Sequence, residues 1–157
     1  MSDRVNHEIP PVYDGTSRVL ILGSFPSVKS REGHFFYHHP QNRFWRLLAA
    51  LFGEEPPASI EEKRAFLLRN HIAVWDVIAS CEITGSSDSS IKNVVPNDLN
   101  RILDAADIRQ IFFCTGNRAI IVDLRIGNKL VFRLICIQRV GKHAFYFNCI
   151  GPPAPEI

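Results

Sequence analysis

The sequence predicts an α/β domain built around a mostly parallel sheet covered on both faces. Three observations carry this. Short continuous apolar runs end in glycine at "RVLILG" (Arg18 to Gly23) and "IRQIFFCTG" (Ile108 to Gly116), the pattern of strands buried on both faces. Segments with apolar residues at helical spacing separate them, and strands that alternate with helices imply parallel connections. The chain has 157 residues and no internal repeat, which fits one domain over 1–157.

The elements follow in order. Residues 1–17 are polar and end in "DGTS", a turn signal. After the first strand comes a long loop over "SFPSVKSREGHFFYHHPQ". "NRFWRLLAALFG" (Asn42 to Gly53) then places Phe44, Leu47, Leu48, Leu51 and Phe52 on one helical stripe, with Gly53 suited to the position just past the helix end. "PPASIEEKRAFLLRN" opens a second helix, in which Ser59 and Glu62 have capping-box spacing and Ile60, Phe66 and Leu67 are apolar. "HIAVWDVIASC" (His71 to Cys81) reads as a short strand and a turn. "EITGSSDSSIKNVVPN" (Glu82 to Asn97) reads as a Ser-rich loop whose Asn97 caps the helix "DLNRILDAAD". "NRAIIVDLRIG" reads as a weak helix and "KLVFRLICIQRV" as a final strand.

Composition narrows the function classes. Hydrophobic residues make up 46% and charged residues 22%, and the net charge is +2. That is ordinary globular composition with no polycationic tail, so any nucleic-acid contact requires a local basic patch. Cys81, Cys114, Cys136 and Cys149 have no C-x-x-C spacing and read as free cysteines packed as small hydrophobes. No signal-peptide pattern and no apolar run of transmembrane length is present. The expectation is a cytoplasmic chain that does not enter a membrane.

In sheets of this kind ligands bind at the carboxyl ends of the strands. Both the long loop and "CTGNR" leave strands there. The loop exceeds the usual length of about 4–6 residues, a sign of function. Gly23, Ser24, Phe25 and Pro26 form a tight turn whose backbone can hold an oxyanion, a phosphate or a carbonyl oxygen, or serve as an ordinary exit from a strand. The glycine patterns of phosphate-cradling nucleotide loops are missing. Phe35, Phe36 and Tyr37 either wrap beneath the sheet or present a ring to a flat heterocycle, where base stacking contributes about 1–3 kcal/mol. Lys29, Arg31 and Arg43 flank them with positive charge, a mixture that suits nucleic acid. His34, His38 and His39 lack a completing carboxylate or cysteine pattern, so they read as structural or pocket-polar groups and no metal site is expected. Asn42 is either a helix cap or a carboxamide that binds substrate or positions water.

With these residues in view, "LILGSFPSVKSREGHFFYHHPQNRFWRLL" resembles the first motif region of the uracil-DNA glycosylase superfamily. It is most similar to the hypoxanthine-DNA (deoxyinosine) glycosylase branch, then to the mismatch-specific uracil/thymine glycosylases. The G-S-F-P-S and H-P-x-N-R-F-W elements carry the likeness, and "IAVWDVIASCEITGSSDSSI" and "IFFCTGNRA" agree with later blocks. The resemblance spans residues 9–126. It implies a three-layer α/β/α sandwich, a monomer, and hydrolysis of the N-glycosidic bond of a deaminated base flipped out of DNA, without metal or redox cofactor. It assigns catalysis to Asn42, because the first motif reads Ser24-Phe25-Pro26 where many members carry an acidic residue or Asn. Tyr37 is implied to stack on the base, with Gly23, Ser24, Phe25, Pro26, His39 and Asn117 around it and Lys29, Arg31 and Arg43 toward the DNA.

The tail departs from that pattern. Lys129 to Ile157 contains no L-P-S-[ST]-S element and no C-terminal amphipathic helix, so 127–157 reads as divergent or as the product of a shifted reading frame. Two alternatives therefore accompany the glycosylase expectation. One is a weakened or inactive relative that binds DNA without cleaving it. The other is an α/β domain that binds a small nucleotide or metabolite.

Overall fold

The computed structural model describes residues 3–114, 122–126 and 129–134, with side chains over 4–113. Its centre is a three-stranded parallel sheet in the order β3-β2-β6. β2 is Val19–Gly23, β3 is Ile72–Asp76 and β6 is Gln110–Cys114. Val19 lies opposite both Ile72 and Gln110, and Gly23 opposite both Asp76 and Cys114, so the three strands end level. The α/β class is as the sequence indicates, and β2 and β6 fall within the two predicted apolar runs; Gly116, the predicted end of the second, lies outside the described residues. All five residues of β3 are buried, although β3 stands at one end of the strand order; Val12 bridges to Val74 along its outer edge.

A second sheet was not legible. β1 (Asp3–Asn6) pairs antiparallel with β4 (Ile78–Ile83), which pairs antiparallel with β5 (Lys92–Pro96). Residues 1–17 are therefore not merely a polar lead-in. The expected turn after β3 is also corrected. The chain runs from β3 through Val77 straight into β4, and the amides of Val77 and Ile78 bond the carbonyls of Gly23 and Ser24 at 2.9 and 3.1 Å. No Gly or Pro interrupts that stretch. The Ser-rich loop is interrupted by a 3-10 turn at Asp88–Ser90 and by β5, whose residues are all exposed. An exposed edge strand that ends in proline carries little hydrophobic signal. The predicted helix over 117–127 is corrected where it is described: Val122–Ile126 is a strand, β7, paired antiparallel with β8 (Lys129–Leu134), and the rest of that segment lies outside the described residues. The remainder of the predicted final strand lies outside the described residues.

Helices lock the parallel sheet. α1 (Val28–Glu32) lies within the long loop, with Ser27 Oγ accepting the Ser30 amide. α2 (Phe44–Phe52) ends at Gly53, which adopts φ 66° as a left-handed cap. Its buried stripe matches the predicted one at Leu48, and Phe44 packs half-buried against the core, but the rest is rotated. Trp45, Leu48 and Ala49 face the core, whereas Leu47 and Leu51 are 39% and 69% exposed. The two stripes differ by one residue, about 100° of helix rotation. Aromatic contacts select between them: Trp45 stacks on Phe35 at 6.1 Å, and Phe44 turns aside to stack on Tyr37.

α3 (Ile60–Arg69) carries the predicted capping box, with both reciprocal bonds formed between Ser59 and Glu62. The amides of Ala58 and Ser59, which both donate to its Oε2, hold the Glu62 carboxyl below the usual range. Phe66 and Leu67 are fully buried, each contributing about 1.5–3 kcal/mol of apolar burial. Ser59→Ala should lower unfolding free energy by about 1 kcal/mol without altering the denaturant m-value, as chemical denaturation would show. α4 (Asn100–Leu103) is shorter than predicted, and Asn97 is not its cap. Asn97 Nδ2 instead donates to the Asp76 carbonyl at 2.9 Å, while Asp98 Oδ1 accepts the Asn100 amide.

Candidate active site

The level ends of β2 and β3 open into a cleft of about 200 Å³. Gly23, Ser24, Phe25 and Pro26 form one wall, Tyr37 and Asn42 another, and Asp76 lies at the strand end between them. Ser86 and Asp88, from the segment after β4, complete it. Seven of the residues singled out in the sequence, Phe36 among them, thus share one site, although up to nineteen positions separate them. The cleft sits where the sheet argument placed it.

The long loop resolves its own ambiguity. His34 and Tyr37 both have φ 51°, uncommon for residues with a Cβ. The two reversals fold the loop back on itself. Phe35 and Phe36 are 1% and 2% exposed and belong to the main core; Phe36 also lines the cleft, beside the half-buried Tyr37. Tyr37 stacks on Phe44 with ring centres 3.8 Å apart and planes 16° off parallel. Loop aromatics are therefore divided between packing and pocket. His38 packs against Gly33, where an added Cβ would overlap its ring. His39 is exposed, does not line the cleft, and bonds the Gln41 amide through Nδ1 at 3.1 Å. Among the described residues no three metal-ligating side chains cluster.

Asn42 is both a turn-former and a cleft residue. Its Oδ1 accepts the Phe44 amide at 2.9 Å, although Arg43 is the residue that immediately precedes the helix. The basic residues differ in their engagement. Lys29 pairs with Glu32 at 2.8 Å on the surface. Arg31 ties two loops together, donating to the carbonyls of Pro26 at 2.8 Å and Gly85 at 3.2 Å over the Phe25 ring. Arg43 is exposed. Asn117 lies outside the described residues.

Sequence reasoning missed Asp76, His7, Ser86 and Asp88 as parts of this site. Asp76 is 5% exposed and bonds His7 Nε2 through Oδ2 at 2.7 Å. Its Oδ1 lies over Gly23, where any Cβ would overlap it. The glycine at the end of β2 therefore makes room for the carboxylate at the end of β3. Ser24 Oγ donates to Asp88 Oδ1 at 3.1 Å, and Ser86 Oγ accepts the Val28 amide at 2.9 Å. A lone Asp closing the apolar run "IAVWD" was the available signal, since an isolated buried carboxylate needs a reason. Cys81 is not part of the site: it is buried beneath Phe25 and Ile78, and burial pushes its thiol pKa up.

Comparison with known proteins identifies relatives. A sequence model of the uracil DNA glycosylase superfamily matches residues 10–149. The hypoxanthine DNA glycosylase of Methanosarcina barkeri is 34% identical over 111 residues, 70% of each chain. That of Methanosarcina acetivorans is 32% identical over 116 residues, 73% of each chain. A solution NMR structure of a candidate uracil DNA glycosylase from Methanosarcina acetivorans superposes with a TM-score of 0.60 at 36% identity. That superposition covers 67% of this chain and 66% of the other, just under two thirds of the solved protein.

Proposed function

Because the chain belongs to the uracil DNA glycosylase superfamily, we propose that it hydrolyses the N-glycosidic bond of a deaminated base in DNA, hypoxanthine first and uracil second. The observation that carries the choice of base is the Asp76 carboxylate in the cleft. Deamination converts N1 of adenine from a bare acceptor into an N–H beside a carbonyl, and does the same to N3 of cytosine. An ionised carboxylate only accepts hydrogen bonds. It pairs with the N–H of hypoxanthine or uracil and repels the lone pair of adenine or cytosine. Leaving such a buried group unpaired is costly, so an undamaged base is disfavoured.

The rest of the cleft supplies positioning and charge stabilisation. The extruded base lies against the face of Tyr37 that Phe44 does not cover. The bond from C1′ to the base breaks with its electron pair on the base, water adds to C1′, and the proton that the water sheds ends on the departing base through solvent. Negative charge develops on the leaving group, so a donor aimed there lowers the barrier. With Oδ1 committed to the Phe44 amide, Nδ2 of Asn42 is the group that donates to the base or orients the water. Lys29 and Arg43 would meet phosphates, while Arg31 holds the wall of the cleft. The protein is proposed to act as a monomer in the cytoplasm, without a cofactor.

Single-turnover assays at enzyme excess test this. Oligonucleotides with one deoxyinosine, uracil or xanthine should yield alkali-labile sites, with inosine fastest and an unmodified control inert. A second reading rests on the tail, where Lys129–Ile157 lacks the expected phosphate-gripping element: a relative that binds such DNA without cleaving it. Retention of the inosine oligonucleotide with no base release over many hours would favour that reading. Binding of free nucleotides alone would reject both.

A further inference from the structure

We propose that His7 is a positioning residue that holds Asp76 as a hydrogen-bond acceptor aimed into the cleft, which deepens the preceding proposal and rests on its identification of the cleft as the base pocket. His7 follows β1, sixty-nine positions before Asp76. Antiparallel pairing of Asn6 with Ser80, and the bond from the His7 amide to the Ala79 carbonyl at 2.8 Å, carry it beneath the end of β3. Its side chain is 1% exposed. The ring lies edge-on to Phe25 at 6.0 Å and to Trp75 at 6.5 Å, and tilts against Phe36 at 6.2 Å. It does not line the cleft, so it reaches a ligand only through Asp76.

The division of the carboxylate oxygens gives the pair its role. Oδ2 is 2.7 Å from His7 Nε2, and opposite a carboxylate that nitrogen must carry the hydrogen. Oδ1 is left over Gly23 at the strand end. A buried carboxyl group with no donor would rotate toward one, and that turns the acceptor away from the cleft. His7 prevents this, as outer hydrogen-bond partners fix ligand groups elsewhere. The first residues of the chain thereby help decide which base edge the site accepts.

Two substitutions separate this role from packing. His7→Phe keeps a ring among Phe25, Phe36 and Trp75 but removes the donor. His7→Gln keeps a neutral N–H donor but removes the ring. The inference expects His7→Phe to slow inosine release by about tenfold or more, and His7→Gln to stay within about threefold of the unaltered chain, the scale of one hydrogen bond to a charged group. A ring-packing role predicts the reverse order. A substrate-free measurement accompanies them: in protein labelled with 15N-histidine, a slowly exchanging ring N–H proton should be assigned to His7 by its loss in His7→Gln, and should vanish in Asp76→Leu. Absence of that signal from the unaltered chain, or base release by His7→Phe equal to that of the unaltered chain, would overturn the inference. An intact signal with no base bound or released would instead show that the proposed function fails, and the role assigned to His7 would fall with it.

Discussion

Gly23→Ala is expected to lower base release by about a thousandfold or more, the upper range for losing a key polar group in a site. An alanine Cβ would overlap Asp76 Oδ1 and come within 3.6 Å of the Tyr37 hydroxyl. The carboxylate must then leave its place at the strand end, and β2 or β3 must shift with it. Both strands are pinned by their parallel register and by the bonds from Val77 and Ile78, so the side chain gives way before the backbone. Overpacking of this kind also costs about 1–3 kcal/mol of stability. A double-mutant cycle with Asp76→Ala distinguishes the causes. If overlap is the mechanism, Gly23→Ala should cost almost nothing in a chain that already lacks the Asp76 carboxylate. An undiminished cost in that background would assign the effect to the β2 backbone.

Asn42→Ala should lower single-turnover cleavage by about a hundredfold and stability by about 1 kcal/mol. The structure assigns two tasks to this one side chain, because it lines the cleft and its Oδ1 accepts the Phe44 amide. Asn42→Asp separates them. Aspartate retains the oxygen that ties down the start of α2 but loses the Nδ2 donor. The expected result is near-normal thermal stability with cleavage as slow as in Asn42→Ala. If Asn42→Asp restores cleavage together with stability, Asn42 serves the helix start and contributes nothing to the chemistry.

The parts of the fold that were legible are those whose signal is local. β2 and β6 each lie within a short apolar run, and burial on both faces leaves that mark whatever the neighbours are. Likewise, Ser59, Glu62 and Gly53 act on backbone groups within a few residues of themselves. The antiparallel sheet left no such mark. β5 is exposed throughout, and β1 is four residues long. Neither has an apolar alternation to read, and each exists because β4 offers a free edge. The buried stripe of α2 was misassigned in part, at Leu47 and Leu51, for a related reason. Leu47 and Leu51 match helical spacing as well as Trp45 and Ala49 do. Only the position of Phe35, delivered by the reversed loop, selects the stripe that packs.

The candidate site divides in the same way. By itself the sequence determined that the loop from Ser24 to Gln41 lies at a strand end, that Tyr37 and Asn42 belong with the glycine turn, and which family those motifs resemble. Each of those conclusions rests on residues close together in the chain. Tertiary structure alone decided that Asp76 faces Gly23, that His7 lies beneath it, and that Phe35 is core while Phe36 and Tyr37 line the pocket. These are outcomes of strand register and backbone reversal between distant segments. A carboxylate carries no label for the partner that will make its burial tolerable, and here the partner is sixty-nine positions away.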